Sequence, residues 1–277
     1  GRGAGQGGGV GVRRRARALF DVVAGFVYSQ VLLACVRVRA FEILAEVQLN
    51  RASANRAQVN RSVIKTRELP RYFSSVLFAP EDLALVRGEP SGRRKFLDEL
   101  LVLRTPRMSS VIADYERVLR QRNTLLKSAR ASGLKQTQLG TLEIWDERLV
   151  ALGSEIIHAR TSLVAELAPE VSRAYNAIVG ADHAATLATQ LSIFATSADD
   201  DLADDAAVRT AVVPVEAAAD GFRAAVARLR RAELDRGITL AGPHRDDLVL
   251  GLNGLAARGY ASHGESWSFA LALKLAS

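Results

Sequence analysis

From Phe41 the chain alternates: Phe41, Ile43, Ala45, Val47 and Leu49 share one face, while Glu42, Glu46, Gln48 and Asn50 fall mostly on the other. A period of two predicts a half-buried strand. Residues 57–62 predict its partner, and residues 75–78 a third short strand that stops at Pro80. The period then turns helical. Pro90-Ser91 opens a helix through Leu103, and Thr105-Pro106 supplies an N-cap and a first-turn proline for a second helix to about Ala129. One face of this second helix carries Val111, Tyr115, Val118, Leu119, Leu125 and Leu126, with Arg117, Arg120, Arg122 and Lys127 around them. A third helix sets Trp145, Leu149, Leu152, Ile156, Ala159, Leu163 and Leu167 at steps of three and four, a packing seam that Pro169 is expected to kink or restart. Leu187, Thr189, Leu191 and Ile193 alternate as a strand, residues 199–205 form an acidic loop, and residues 215–235 are helical again. Two strands follow, at 238–241 and 248–252. Asn253-Gly254 then signals a hairpin, and SWSFALALKLAS an amphipathic helix.

Ahead of this pattern, residues 1–40 join a glycine run, the arginines from Arg13 to Arg17 and an apolar stretch from Leu19 to Cys35. That outline fits a signal segment, with Leu32-Leu33-Ala34-Cys35 as a lipid-attachment box. Against it, Asp21 and Gln30 interrupt a stretch already too short and polar for a membrane span. Gly, Arg, Ala and Val are also what GC-rich DNA gives in a shifted frame. Residues 1–40 are therefore set apart as an unmatched leader. The 277 residues are 48% hydrophobic but only 6% aromatic, which predicts an aliphatic core. The lone Cys35 excludes an internal disulfide framework or a multi-cysteine zinc site, and His158, His183, His244 and His263 show no metal spacing. A cytoplasmic protein without membrane attachment is the expectation.

The formal charge of +7 is unevenly spread. Residues 1–80 hold 13 basic side chains against 4 acidic, so the leader side dominates the total. Within the rest, residues 87–135 hold 12 basic against 5 acidic, and residues 136–277 hold 12 against 19. A basic stretch faces an acidic one. Such a stretch serves either as a solvated helix surface or as a contact for nucleic-acid phosphates.

The most specific chemistry lies at Ala261-Ser262-His263-Gly264-Glu265, where the last helix begins. A helix N-terminus leaves N–H groups unpaired and carries partial positive charge, so a serine hydroxyl beside a glycine can hold a phosphate there. The same residues satisfy an S-x-x-E capping box, which merely finishes the helix. Both readings stand on these residues alone.

Two longer blocks carry a resemblance. Residues 77–104, LFAPEDLALVRGEPSGRRKFLDELLVLR, continue into ADYERVLRQRNTLLKSAR, and residues 240–277 read LAGPHRDDLVLGLNGLAARGYASHGESWSFALALKLAS. In this order they resemble the RecF family of bacterial DNA replication and repair proteins. The likeness runs from about Phe41 to Ser277 and is weak in the acidic stretch. It implies an α/β fold, a partial ABC/SMC/Rad50-like P-loop ATPase head with an inserted all-helical lobe. Residues 41–80 would belong to the head, 81–236 to the lobe, and 237–277 to the return into the head. It also implies that Ser262, Gly264 and Glu265 form the ABC-type signature that meets ATP bound on an opposite protomer, with His263 in place of the usual middle glycine. The implied cofactors are ATP and Mg²⁺. The implied partners are DNA, single-stranded and duplex near gaps, a second protomer in an ATP-dependent homodimer, and RecO and RecR, in gap repair and the SOS response.

Two family motifs are not found. No G-x-x-x-x-G-K-[ST] loop occurs, since Lys65, Lys95, Lys127, Lys135 and Lys274 each follow a residue other than glycine, and the run Gly7 to Gly9 has no lysine. The apolar strand ending in a catalytic Asp is also missing, and Asp98-Glu99 lies in a helical pattern. The chain thus reads as a RecF piece that binds ATP poorly by itself, no catalytic residue being assigned. Arg93, Arg94, Lys95, Arg117, Arg120 and Arg122 are the candidates for DNA phosphate contact, or else for a solvated surface. In GPHRDD, His244, Arg245 and Asp246 would line a dimer or nucleotide face, or Arg245 would pair with Asp247 to stabilise the turn. The competing function is a helical adaptor that binds protein through the Trp145 seam without nucleotide.

Overall fold

Alternating stretches pair locally in the first of two units, Gly1–Asp82, and the helices gather in the second, Leu83–Ser277. The computed structural model describes residues 35–36, 45–48, 56–59, 62–64, 75–76, 78–132, 136–195 and 208–277. Most of the leader and the acidic loop expected at 199–205 lie outside the described residues.

In the first unit, β2 (Ala45–Gln48), β3 (Arg56–Val59) and β4 (Ser62–Ile64) form an antiparallel meander, with Ala45 opposite Val59 and Ala57 opposite Ile64. The two alternating stretches expected to pair do so. A separate pair joins β1 (Cys35–Val36) to β5 (Ser75–Val76).

The second unit opens with α1 (Ala84–Arg87), α2 (Pro90–Arg104) and α3 (Met108–Ser132). Pro90 stands in the first turn of α2, where its missing N–H costs nothing. Thr105 was expected to cap α3. Instead its N–H closes α2 onto the Leu101 carbonyl, and its own carbonyl accepts from Met108 N at 2.9 Å, so α3 starts two residues late. The 44-residue α4 (Gln136–Val179) runs through Pro169 without a break. Leu163, Leu167, Val171 and Tyr175 are buried on both sides of that exposed proline, so packing holds the helix where local preference would interrupt it. Leu149, Ile156, Leu163 and Leu167 of the expected seam are all buried against α3, α5 (Val215–Arg236) and α7 (His263–Ala276). Each such side chain contributes about 1.5–3 kcal/mol to folding. Among the described residues no helix is long and apolar enough to cross a membrane.

Beside the helices lies one antiparallel sheet in the order β7 (Val208–Arg209), β6 (Thr186–Gln190), β8 (Asp247–Leu252), β9 (Leu255–Ala256). Strand β6 comes from the segment expected to be the helical lobe, and β8 from the return, so Leu187–Leu250 and Thr189–Leu248 pairing ties the two together. The expected strand at 187–193 ends at Gln190, because Ser192 turns its N–H to Asp246 Oδ1 at 2.8 Å. The strand expected at 238–241 does not form. Thr239 N donates to Asn123 Oδ1 and Leu240 N to Glu233 Oε1, which takes both donors away from any ladder. The hairpin is as read: Asn253 (φ 52°) and Gly254 (φ 78°) both take the left-handed conformation that a two-residue turn with the native strand twist requires.

Candidate functional site

Helix α7 begins where Ser262, in extended conformation, stops the chain and caps it. Ser262 Oγ accepts from Glu265 N at 3.2 Å, and Ser262 N donates to Glu265 Oε2 at 2.7 Å. The capping box is complete. It consumes the N–H groups of Ser262 and Glu265 and leaves those of His263 and Gly264 without an acceptor inside the helix. A side chain built on Gly264 would meet no atom within 4 Å, and both His263 and Gly264 are exposed. Ser262 is itself exposed, with its hydroxyl engaged by the Glu265 carboxylate. The capping box and the two remaining amides therefore use different atoms of the same turn.

Glu265 adds a negative charge there. Its hydrogen bonds with Ser262 hold the carboxyl below the usual glutamate range, and His183 Nδ1 stands 3.7 Å from its other oxygen. His263, in the place of the middle glycine, accepts from Trp267 Nε1 at 2.7 Å and so leans along α7. The turn is also held from outside by a residue the sequence did not single out. Arg87, at the end of α1, donates from Nε to Ser266 Oγ at 3.0 Å and from a terminal nitrogen to the Ala261 carbonyl at 3.2 Å. Ser266 Oγ in turn donates to the Ser262 carbonyl at 2.8 Å. No motif marks Arg87; its position in the quoted block beside α2 was the available signal.

The residues proposed to touch DNA separate into two groups. Arg93 and Arg122 are withdrawn from that role, being 2% and 0% exposed. Arg93 grips both carboxylate oxygens of Asp247 at 2.7 Å and donates to the Leu85 and Gly88 carbonyls. Asp247, suggested as a partner of Arg245, is thus held by Arg93. Arg122 donates to Asp146, Thr239 and Glu233 at 2.7, 2.7 and 2.6 Å. The helical spacing could have shown this, since Arg122 falls four residues after Val118 and four before Leu126 on the buried face. Lys95, Arg117 and Arg120 are exposed, but each stands by an acid on its own helix: Glu99, Asp114 and Glu116. Arg94 is half-buried and donates to the Asp246 carbonyl at 2.8 Å. It lines, with Lys95, Leu103, Ile112 and Leu119, a groove of about 910 Å³ between α2 and α3.

The GPHRDD turn packs inward. Gly242 has φ 126°, and a side chain there would lie 2.5 Å from the Phe222 ring and 2.6 Å from Tyr115 Oη. Asp246 is buried and accepts from both Ser192 N and Ser192 Oγ at 2.8 Å. Burial raises its carboxyl to about 6. His244 Nδ1 meets Tyr115 Oη at 2.8 Å, and its Nε2 lies 3.3 Å from the Thr239 carbonyl. Burial lowers this imidazole to about 3, so it is neutral, accepting from the tyrosine and donating to the carbonyl. Asp246 is thus spent on holding the turn, and the expectation that it lines a dimer or nucleotide face is corrected, while His244 is half-buried and lines the groove between α2 and α3. Arg245 is half-buried, 3.5 Å from the Thr239 carbonyl. Asp98 is likewise structural, bound through both oxygens by Arg160. Among the described residues no cluster of His, Cys, Asp and Glu could hold a metal.

No family model matches the chain. Similar proteins do. The DNA replication and repair protein RecF of Clavibacter michiganensis subsp. michiganensis is 61% identical over 258 residues, covering 90% of this chain and 62% of that protein. RecF of Leifsonia xyli subsp. xyli is 61% identical over 249 residues, covering 88% and 64%. The chain therefore spans less than two thirds of the length of these relatives. Among solved structures, the recombination mediator protein RecF with ATP, in the RecFOR pathway, superposes with a TM-score of 0.63 at 26% identity, over 81% of this chain and 55% of that one. A second RecF structure gives 0.59 at 24% identity and speaks for the fold alone. The fold class is thus α/β, part of an ATPase head with its helical lobe. With 61% identity over nine tenths of its residues, the chain is similar to RecF proteins along most of its length.

Proposed function

We propose that this chain supplies the signature half of a composite ATP site in a DNA replication and repair protein. ATP held on the P-loop of an opposing protomer would place its terminal phosphate against Ser262 and the His263 and Gly264 amides, closing a head-to-head dimer. The single observation that carries this reading is the open face at Gly264 beside two amides that a complete capping box leaves unspent. A helix N-terminus with unpaired amides is a good site for a phosphate in a water-excluded contact. Ser262, Gly264 and Glu265 keep the roles the family resemblance implies. ATP would come with Mg²⁺ carried by the P-loop protomer. This chain alone, lacking a glycine-lysine loop in its sequence, would bind ATP weakly.

The ATP-closed pair would bind DNA near gaps, work with RecO and RecR in recombinational repair and the SOS response, and reside in the cytoplasm. The RecF relatives and the RecFOR structure support this reading. Arg94, Lys95, Arg117 and Arg120 remain as DNA-contact candidates, and His244 and Arg245 as the residues of GPHRDD that could reach a dimer face. The adaptor reading loses its surface, because four residues of the Trp145 seam are buried within this chain.

The test mixes labelled chain with the intact Leifsonia xyli RecF and a slowly hydrolysed ATP analogue, reading association by fluorescence energy transfer. Association should need nucleotide and be lost with Ser262→Asp, which keeps the helix cap but sets a negative charge against the phosphate. Equal association by the Ser262→Asp chain would overturn the proposal.

A further inference from the structure

The signature turn sits at the end of a chain of contacts that begins in α2. Arg93 clamps Asp247, the first residue of β8, and the same guanidinium donates to the carbonyls of Leu85 and Gly88, which bracket the end of α1. Helix α1 has four residues and no side-chain cap, so this clamp does much to fix its direction. A second tie runs from Arg258 at α6 (Ala257–Tyr260) to Glu89, at 2.9 Å. From the clamped end of α1, Arg87 reaches both sides of the turn: the carbonyl of Ala261 before it and the hydroxyl of Ser266 after it. Ser266 is fully buried and passes the contact to the Ser262 carbonyl. One planar guanidinium therefore spans the segment that aims Ser262, His263 and Gly264.

We infer that Arg87 is the positioning residue of the signature turn, holding Ser262 and the two open amides in the direction that an opposing ATP must meet. The inference rests on the function proposed above. Its physical ground is that a capping box fixes the turn relative to its own helix only, whereas Arg87 fixes it relative to α1. Arginine suits this because its fork donates in two fixed directions, where a lysine ammonium holds neither acceptor at a set angle. Arg87 is exposed and donates only to a hydroxyl and a carbonyl, so its removal leaves no buried charge.

Amide exchange on the chain itself tests the geometry. Ala261, Ser262, Glu265 and Ser266 each have a hydrogen-bonded N–H at the turn. With Arg87→Ala these four should exchange about tenfold faster, while Leu248 to Leu252 in β8 keep their protection and the melting temperature stays within a few degrees. Arg87→Lys should recover part of the loss. Unchanged exchange at the turn in Arg87→Ala sinks the inference. The association assay with Leifsonia xyli RecF then separates the two ideas. Nucleotide-dependent association about tenfold weaker for Arg87→Ala, together with loss for Ser262→Asp, supports both. Parental association by Arg87→Ala when Ser262→Asp has lost it overturns the positioning role and leaves the composite site standing. Parental association by Ser262→Asp removes the composite site, and the positioning role for ATP with it.

Discussion

Two polar regions of the second unit use similar residues to opposite ends. Around Arg122, three acceptors from three parts of the chain close on one guanidinium with no exposure left. Around Ser262, the cap satisfies its own helix end and stops, leaving two amides toward solvent. The first arrangement is complete and can only hold structure. The second is satisfied for folding but incomplete for chemistry, which is the condition a binding site needs.

The hardest blow to the contrast is Arg122→Ala, which strands Glu233 inside the protein and leaves Asp146 to Arg230 alone. It should cost about 3–5 kcal/mol in denaturant unfolding, and a loss below 1 kcal/mol would mean the hub is not closed. Gly242→Ala should follow at about 3 kcal/mol, from backbone strain plus the clash with Phe222 and Tyr115. A wild-type melting curve for that variant would contradict the inward packing of GPHRDD.

The pH dependence of that turn gives a finer test. Asp246, at about 6 against an ordinary 3.8, is charged at a cost, so its contribution to stability falls as pH rises from 3.8 to 6. His244, at about 3 against 6.5, stays neutral in the fold, and the stability it contributes above pH 6.5 is lost as pH falls toward 3. Between pH 4 and 6 the two slopes oppose each other. Asp246→Asn keeps an oxygen for Ser192 and should expose the histidine slope, about 1.4 kcal/mol lost per unit of acidification. His244→Gln should reverse the trend. Arg94, Arg122, Arg160 and Arg245 are the charged groups that face these two side chains. Matching slopes in both variants would refute the assignment.

At the open turn, Ser262→Ala should cost about 1 kcal/mol as a lost cap, while Ser262→Asp stays within a few tenths of the parent. That pair separates the folding role of the serine from its proposed phosphate role. The smallest effect belongs to Arg120→Ala, which should change stability by no more than about 0.5 kcal/mol. If Arg120 meets DNA, the same change should lower the salt slope of binding by about one unit; an unaltered slope would return it to the solvated surface.

Much of the fold was legible because it is local. Pro90 opening α2, the Asn253-Gly254 turn and the S-x-x-E cap each depend on residues within four positions, and each stands where the pattern put it. The strand misread at 238–241 is apolar enough to alternate, yet Asn123 and Glu233 took its donors. Thr105 looked like a cap for the helix after it and closes the helix before it. Pro169 signalled a break that the packing around it overrode.

The sequence by itself determined the Asn253-Gly254 turn, the Ser262 cap and the likeness to RecF, since these follow from short-range hydrogen bonding and from motif order. Only the tertiary structure decided which arginines are spent and which are offered. Arg122 finds its partners 24, 111 and 117 positions away, and Arg87 finds Ser266 at 179. Side chains that look alike along the chain diverge once burial strips water from one set and leaves it on the other, because a buried charge must be matched in place while an exposed one need not be.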